Sequence, residues 1–412
     1  MRSAAASSSR SARFGISTVE VRAFRSVRAV SFSPGPLCAL VGEANAGKSN
    51  LIAAIRAILD PDVAPFTNAD VAEGTSDKIS IRVRFADDRE ASLDGRPGRQ
   101  VFTGLRDLPP VLFLPADARA GAVLSTGSAE DKGASEAVEV FRRALARGRD
   151  TAAAQALSLL DALELCCLER LTGLVLLIEE PELYLRPQAQ RYLYRLLREF
   201  SLGGNQAIYS THSPAFLNVV RLDELVFVER PPNKGTRALQ PEPVTFDEDF
   251  RVITEFDAAR SELFLARAVV LVEGLTEKLV LPFVFAALGH DVDREAISII
   301  ECGGKPNIPL FARICKATGT PFVVVHDSDR KTSGKFVAAE RALNELIADT
   351  AGTERTVVLD PDFEAVAGLE GHKRKPERAW REFASRPVAR MPDPLVRVAK
   401  LALSLAAGPR TA

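Results

Sequence analysis

Gly42-Glu43-Ala44-Asn45-Ala46-Gly47-Lys48-Ser49 is a complete G-x-x-x-x-G-K-S string. It stands between the apolar run Leu37 to Val41 and the helically spaced "NLIAAIRAIL" of residues 50–59. Strand, glycine loop and helix follow one another in the order that a phosphate cradle needs. The glycines let backbone N–H groups close around phosphate oxygens. Lys48 brings charge to the β- and γ-phosphates, and the Ser49 hydroxyl serves as a Mg²⁺ ligand. The helix turns its positive N-terminus toward the anion. Gly42, Asn45, Gly47, Lys48 and Ser49 are therefore the candidate nucleotide-binding residues, with ATP and Mg²⁺ as the expected cofactors.

Working outward, "LVLLIEEPELYLRP" (Leu174 to Pro187) reads as a buried strand that ends in two carboxylates. Ligands of open α/β sheets sit at such C-terminal strand ends. Glu179 is expected to bind Mg²⁺ directly or through water, and Glu180 to orient and deprotonate the attacking water. The plain alternative is an acidic helix start, since Pro181 suits a first helical position. In "IYSTHSP", His212 follows another apolar strand and can hydrogen-bond a γ-phosphate. A lone His is more often structural, but the order of glycine loop, Glu-Glu strand and His turn favours the nucleotide role.

The second half of the chain carries a different acidic set. Glu273 ends the strand of "AVVLVEGLTEKLVLP", and Glu277 lies one helical turn later. Asp327 and Asp329 end the strand of "PFVVVHDSDRK". Residues i and i+2 of an extended chain share a side, so these two are expected to face one spot. Carboxylates gathered at two ends of one parallel sheet repel unless cations sit between them. Oxygen ligands suit Mg²⁺ or Mn²⁺. Each piece has an ordinary reading as an acidic turn or a solvated helix face; the weight lies in their conjunction.

Length and composition agree with this division. At 412 residues, 46% hydrophobic and 26% charged, the chain is long enough for two domains with real cores. With 53 basic and 54 acidic residues its net charge is −1, so any nucleic-acid contact needs a local basic groove or metal ions. No run of about 18 apolar residues suggests a membrane span. The five cysteines lack zinc-site spacing and read as buried thiols of a reducing cytoplasm. Residues 1–17 read as a disordered leader and 18–255 as a first α/β domain. Residues 230–249, rich in Pro, read as a connector. Residues 256–380 alternate strand and helix as a second parallel-sheet domain, and 381–412 form a helical tail.

Taken together, the glycine loop, "IEEPE" and "STHSP" resemble the ABC-type ATPase heads of SMC-like proteins. "IEEPELYLRP" looks most like the OLD (overcoming lysogenization defect) family. The E-x-x-x-E and D-x-D strand ends, with "ECGGKPNIPLF" (Glu301 to Phe311) between them, resemble a Toprim domain. The resemblance implies an α/β fold, an ABC-type P-loop ATPase head followed by a Rossmann-like Toprim sheet. It implies an ATP-binding, Mg²⁺- or Mn²⁺-dependent DNA endonuclease of DNA repair or phage defence. Glu273, Glu277, Asp327 and Asp329 are the metal ligands it points to, with Glu273 counted also as catalytic. It adds Glu364 of "LDPDFEAVAG" as a further metal ligand, and Lys375 of "GHKRKPERA", beside Lys373, as a cation near the scissile phosphate. Lys305 can contact phosphate. DNA, a homodimer or higher homo-oligomer, and proteins encoded nearby are the implied partners. One element departs from the pattern: Thr151-Ala152-Ala153-Ala154 replaces the small, Gly-containing signature turn of ABC heads, which predicts ATP binding with slow hydrolysis. The rival readings are an ATP-dependent DNA-binding or structural subunit with an inactive Toprim remnant, and a Toprim primase or RNA-processing enzyme.

Overall fold

The computed structural model describes residues 15–60, 65–75, 78–104, 108–116, 123–125, 132–147, 152–242, 260–329, 337–369 and 375–408. The chain divides into two compact units, Met1–Gln240 and Pro241–Ala412. The division falls within the Pro-rich stretch; the boundary expected at residue 255 lies outside the described residues.

The first unit holds two sheets. One is antiparallel, in the order β2-β1-β4-β5-β6, built from β1 (Ile16–Phe24), β2 (Val27–Phe32), β4 (Ile79–Phe85), β5 (Glu90–Arg96) and β6 (Arg99–Thr103). Its strands alternate because one face packs on the core and the other meets solvent: Ile79, Ile81, Val83 and Phe85 are buried while Arg82 and Arg84 are exposed. The other sheet runs β12-β11-β3-β10-β9-β7-β8. Its members are β3 (Leu37–Val41), β7 (Val111–Leu114), β8 (Val123–Ser125), β9 (Val175–Glu179), β10 (Gln206–Thr211), β11 (Leu225–Glu229) and β12 (Arg237–Leu239). Strands β11, β3, β10, β9 and β7 are parallel neighbours. All five residues of β3 are buried, as are all six of β10. That double-sided burial is why these strands read as unbroken apolar runs. The helix Lys48–Leu59 buries Leu51, Ile52, Ile55, Ile58 and Leu59 between the sheets.

Two expectations are corrected here. The first strand starts at Ile16, inside the stretch assigned to a leader. Ile16 is buried and its backbone is clamped by Gln206, whose Oε1 accepts from the Ile16 N–H (2.8 Å) and whose Nε2 donates to the Ile16 carbonyl (2.9 Å). Residues 1–14 lie outside the described set. The stretch read as a connector contains β12, which pairs antiparallel with β11.

The second unit is a four-stranded parallel sheet ordered β14-β13-β15-β16, from β13 (Ala268–Val272), β14 (Ile297–Glu301), β15 (Phe322–Asp327) and β16 (Thr356–Leu359). Helices Leu275–Ala287 and Ile308–Ala317 join its first strands. The helix Asp393–Ala406, expected in a separate tail, belongs to this core. Leu395, Val398, Ala399 and Ala402 recur at helical spacing and are fully buried in one cluster with Val270, Val284 and Val325. The expected limit at residue 380 cuts through the helix Lys375–Ala384. Among the described residues no helix is long and apolar enough to cross a membrane.

Candidate functional site

The nucleotide motifs converge because β3, β10 and β9 are adjacent parallel strands. Each of the three releases its motif at the same C-terminal edge: the glycine loop after β3, His212 after β10, Glu180 after β9. Two glycines of the loop are sterically required. A Cβ on Gly42 would lie 2.0 Å from the Val228 carbonyl oxygen, and Gly47 has φ 110° with Thr236 Oγ1 2.2 Å from a hypothetical Cβ. Asn45 takes the left-handed conformation (φ 63°), which Asn tolerates better than most residues.

Lys48 is buried. Its three N–H groups are all used, on the carbonyls of Gly42 (2.9 Å) and Glu43 (2.9 Å) and on His212 Nε2 (2.8 Å). Burial holds its pKa below the ordinary lysine value, opposed by Glu180, Glu182 and Glu43. Burial, and then Lys48, likewise keep His212 below its usual value. Glu180 Oε1 lies 3.3 Å from the same His212 Nε2. That nitrogen cannot accept from Lys48 and donate to Glu180 at once; the neutral ring favoured by burial takes the lysine. Glu180 sits in the left-handed region (φ 47°), fixed by its N–H bond to the Ser210 carbonyl (3.0 Å). Glu179 accepts from the Ala116 N–H (3.3 Å), and Ser49 is exposed in the first helical turn.

Three residues of this site escaped sequence reasoning. Glu182 Oε1 accepts from Thr211 Oγ1 (2.8 Å) and from the His212 N–H (2.6 Å), so it fixes the turn that presents the histidine. Its acidic character was visible in "EEPE", but not its target. Ser26 and Thr236 brace the glycine loop from opposite ends of the unit. Asn50 Nδ2 donates to Ser26 Oγ (2.7 Å), Ser26 meets Thr236 Oγ1 (2.7 Å), and Thr236 Oγ1 donates to the Ala46 carbonyl (2.9 Å). Of the signature stretch, Thr151 lies outside the described residues. Ala152 to Ala154 open the helix Ala152–Leu168.

In the second unit, Glu273 follows β13 and Asp327 ends β15, adjacent strands of one parallel sheet. Glu273 Oε1 accepts from the Asp327 N–H (2.6 Å). Glu277 is 7% exposed, and its carboxylate is bonded by the N–H groups of Gly274 and of Glu277 itself. Burial pushes Glu273, Glu277 and Asp327 each up to about 7, and neighbouring carboxylates add to it. Glu364, in the first turn of the helix Phe363–Ala367, is one of the charges felt by both Glu277 and Asp327. Asp327 accepts a backbone bond from Phe363, yet its Oδ1 is buried with no hydrogen-bond partner.

Asp329 departs from the expected extended geometry. It is left-handed (φ 50°), its N–H donates to the Pro361 carbonyl (2.9 Å), and its Oδ2 is ion-paired with Lys305 Nζ (3.0 Å). Lys305 is 5% exposed and also meets Glu340 Oε2 (3.3 Å), a carboxylate that sequence reasoning missed on the next helix. Lys305, expected as a phosphate contact, is thus held by two acids. Lys373 lies outside the described residues. Lys375 opens the helix Lys375–Ala384, and its side chain lies outside them too.

Among the described residues no three His, Cys, Asp or Glu side chains converge closely enough, as they stand, to hold a metal ion. The donor set nonetheless fits a divalent cation. Hard oxygen ligands come from neighbouring strand ends, one buried carboxylate oxygen lacks any donor, and the one cation among the causes of their shifts is Lys305, which acts on Glu273.

Comparison with known proteins falls on the same two stretches. The family described as "Overcoming lysogenization defect protein-like, TOPRIM domain" matches residues 264–329. The family described as "AAA domain, putative AbiEii toxin, Type IV TA system" matches residues 154–218. The chain is 37% identical over 241 residues to an OLD nuclease of Thermus scotoductus, covering 53% of this chain and 45% of that protein. It is 30% identical over 162 residues to the Old nuclease of Escherichia phage P2, covering 38% of this chain and 28% of that protein. The matched stretches thus span less than half the length of either relative. Among solved structures, the SMC head domain from Thermotoga maritima matches at TM-score 0.37 and 15% identity, over 56% of this chain and 100% of that one. The C-terminal region of the Xanthomonas campestris pv. campestris OLD protein matches at TM-score 0.27 and 14% identity, over 35% of this chain and 96% of that one. Residues 154–218 are thus similar to an AAA domain and residues 264–329 to an OLD-like Toprim domain.

Proposed function

We propose that the protein is an ATP-binding, divalent-metal-dependent DNA endonuclease of the OLD type. The observation that carries this reading is the buried edge formed by Glu273, Glu277 and Asp327, whose carboxyls are pushed up to about 7 beside an unpartnered Asp327 Oδ1. Like charges buried at such proximity favour a cation. Glu273, Glu277 and Asp327, with Asp329 and Glu364 at the margin, are the residues that would hold Mg²⁺ or Mn²⁺. Bound there, such ions neutralise phosphate charge and lower the pKa of water. Gly274 and Glu277, through their backbone N–H groups, and Phe363 keep the carboxylates oriented. Lys305 holds Asp329, and Lys375 is the candidate cation for the scissile phosphate.

In the first unit, the loop of Gly42 to Ser49 would cradle ATP, with Lys48 at the phosphates and Ser49 and Glu179 on Mg²⁺. Glu180 would orient water, and His212 would sense the γ-phosphate. Nucleotide would control association of the chain with further copies of itself, and through that access to DNA. A role in repair or phage defence belongs to the same reading, as does a place in the cytoplasm.

One observation favours a rival, an inert Toprim remnant: Asp329 is already held by Lys305. A supercoiled-plasmid assay with a Mg²⁺ and Mn²⁺ titration separates the two. The nuclease reading expects metal-dependent cutting that Asp327→Ala and Glu273→Ala each lower by more than about 100-fold, more than loss of an outer-shell partner costs. Cutting that is absent from the parent, or equal in parent and variants, would defeat it.

A further inference from the structure

The chain as a whole is almost neutral, so any grip on a polyanion has to come from a local concentration of charge. One occurs on the solvent face of the antiparallel sheet. An open hollow of about 390 Å³ is lined by Arg22 on β1, Arg28 on β2, Arg82 on β4 and Lys78 just ahead of it, with Glu20 and Asp94 as the only acids among its lining residues. Arg22, Arg28, Lys78 and Arg82 are all exposed.

Among the described residues these four lack partners, as do Arg96 and Arg99 on β5 and β6, but only these four are gathered at the hollow. Three other arginines of the same sheet and its turns are paired: Arg25 with Asp70 (2.9 Å), Arg84 with Glu90 (3.6 Å) and Arg89 with Asp87 (2.7 Å). Among the described residues Arg22, Arg28, Lys78 and Arg82 make no ion pair and no side-chain hydrogen bond. Strand register spreads them out. Arg22 stands opposite Ser80 and Arg82 opposite Glu20, while Arg28 lies on the far side of β1 from Arg82. Two inter-strand spacings, about 10 Å, therefore separate the outer rows. A single phosphate cannot satisfy cations so spaced; a chain of phosphates can. Guanidinium groups suit phosphate because their planar forks donate two parallel bonds.

We propose that this face of the antiparallel sheet docks the phosphate backbone of duplex DNA. The identity of the polyanion rests on the nuclease reading; the anion-binding character of the hollow rests on its unpaired cations alone. No base contact is involved, so binding is independent of sequence and strongly dependent on salt.

The test uses the full chain in chelator and a fluorescent duplex, with affinity measured across a salt series. Arg22→Ala with Arg82→Ala is expected to weaken binding at least about tenfold at low salt. It is also expected to make the slope of log K against log salt shallower by about 2, one unit per lost phosphate contact. Arg28→Ser with Lys78→Ser is a second pair that should act alike if the first pair melts early. Arg142→Ala with Arg143→Ala, on a helix elsewhere in the unit, should leave affinity and slope unchanged. Parent-like affinity and slope in both hollow variants would overturn the proposal, and so would an equal loss in the helix control. If the parent cuts plasmid while the hollow variants bind DNA normally, the docking face is wrong and the nuclease reading stands. If the hollow variants lose binding but the parent cuts nothing, the docking face stands and the nuclease reading falls.

Discussion

The two candidate sites solve opposite electrostatic problems with the same architecture. Both lie at the C-terminal edge of adjacent parallel strands. In the first unit the edge presents a cation. Its buried cation, Lys48, is satisfied by two loop carbonyls and a neutral His212, and hydroxyls of Ser26 and Thr236 brace the loop. In the second unit the edge gathers acids, and the buried Asp327 Oδ1 has no donor at all. Glu182 Oε2 of the first edge is likewise buried without a hydrogen-bond partner, but the Glu182 charge acts on the Lys48 cation. A site with unrelieved like charge stores a dependence on something that binds it.

The largest effect that could break this contrast is on nucleotide. Lys48→Ala removes the only side-chain cation of the loop, so ATP binding should be abolished while the fold persists. Calorimetry checks both, by titration and by melting; an unchanged ATP affinity would mean that the loop is structural.

The next effect is on stability in chelator. Glu273, Glu277 and Asp327 have folded values near 7, raised by burial from ordinary values of 3.8 to 4.5. Between those limits the folded state holds more protons than the unfolded state. Stability should therefore be greatest below about pH 4, as far as these groups decide it, and fall as pH rises toward 7. Asp327→Ala should flatten that fall and melt no lower than the parent at pH 7.5. A melting temperature that rises over this window in the parent, and not in the variant, would reverse the sign and contradict the description of the edge.

The smallest effect concerns turnover. The sequence Thr151-Ala152-Ala153-Ala154 carries no glycine, so ATP hydrolysis should run well below the enzyme median of about 10 s⁻¹. Ala153→Gly with Ala154→Gly should raise it in a phosphate-release assay. Brisk hydrolysis in the parent would show that the signature lies elsewhere.

Much of this was legible in the sequence because strands buried on both faces leave unbroken apolar runs, and because motifs at their ends follow from parallel pairing. Gly42 to Ser49, Glu179, Glu180 and His212 were brought together as their order implied, as were Glu273, Glu277 and Asp327. What was not legible depends on contacts without periodicity. The hydroxyls of Ser26 and Thr236 meet across 210 residues of chain. Glu340 is an ordinary helix acid until Lys305 reaches it. Asp329 leaves the extended alternation through one left-handed residue, which no strand pattern announces. The helix Asp393–Ala406 showed its apolar spacing, but a tail position hid that it completes a core.

Direct metal binding tests, without recourse to activity, whether the acidic edge is a divalent-cation site. Mn²⁺ titrated into the full chain at pH 7.5, without nucleotide or DNA, should bind with an affinity that Asp327→Asn lowers by at least the roughly tenfold that loss of an outer-shell partner costs, while the melting temperature in chelator holds. Equal Mn²⁺ affinity in parent and Asp327→Asn would contradict the account.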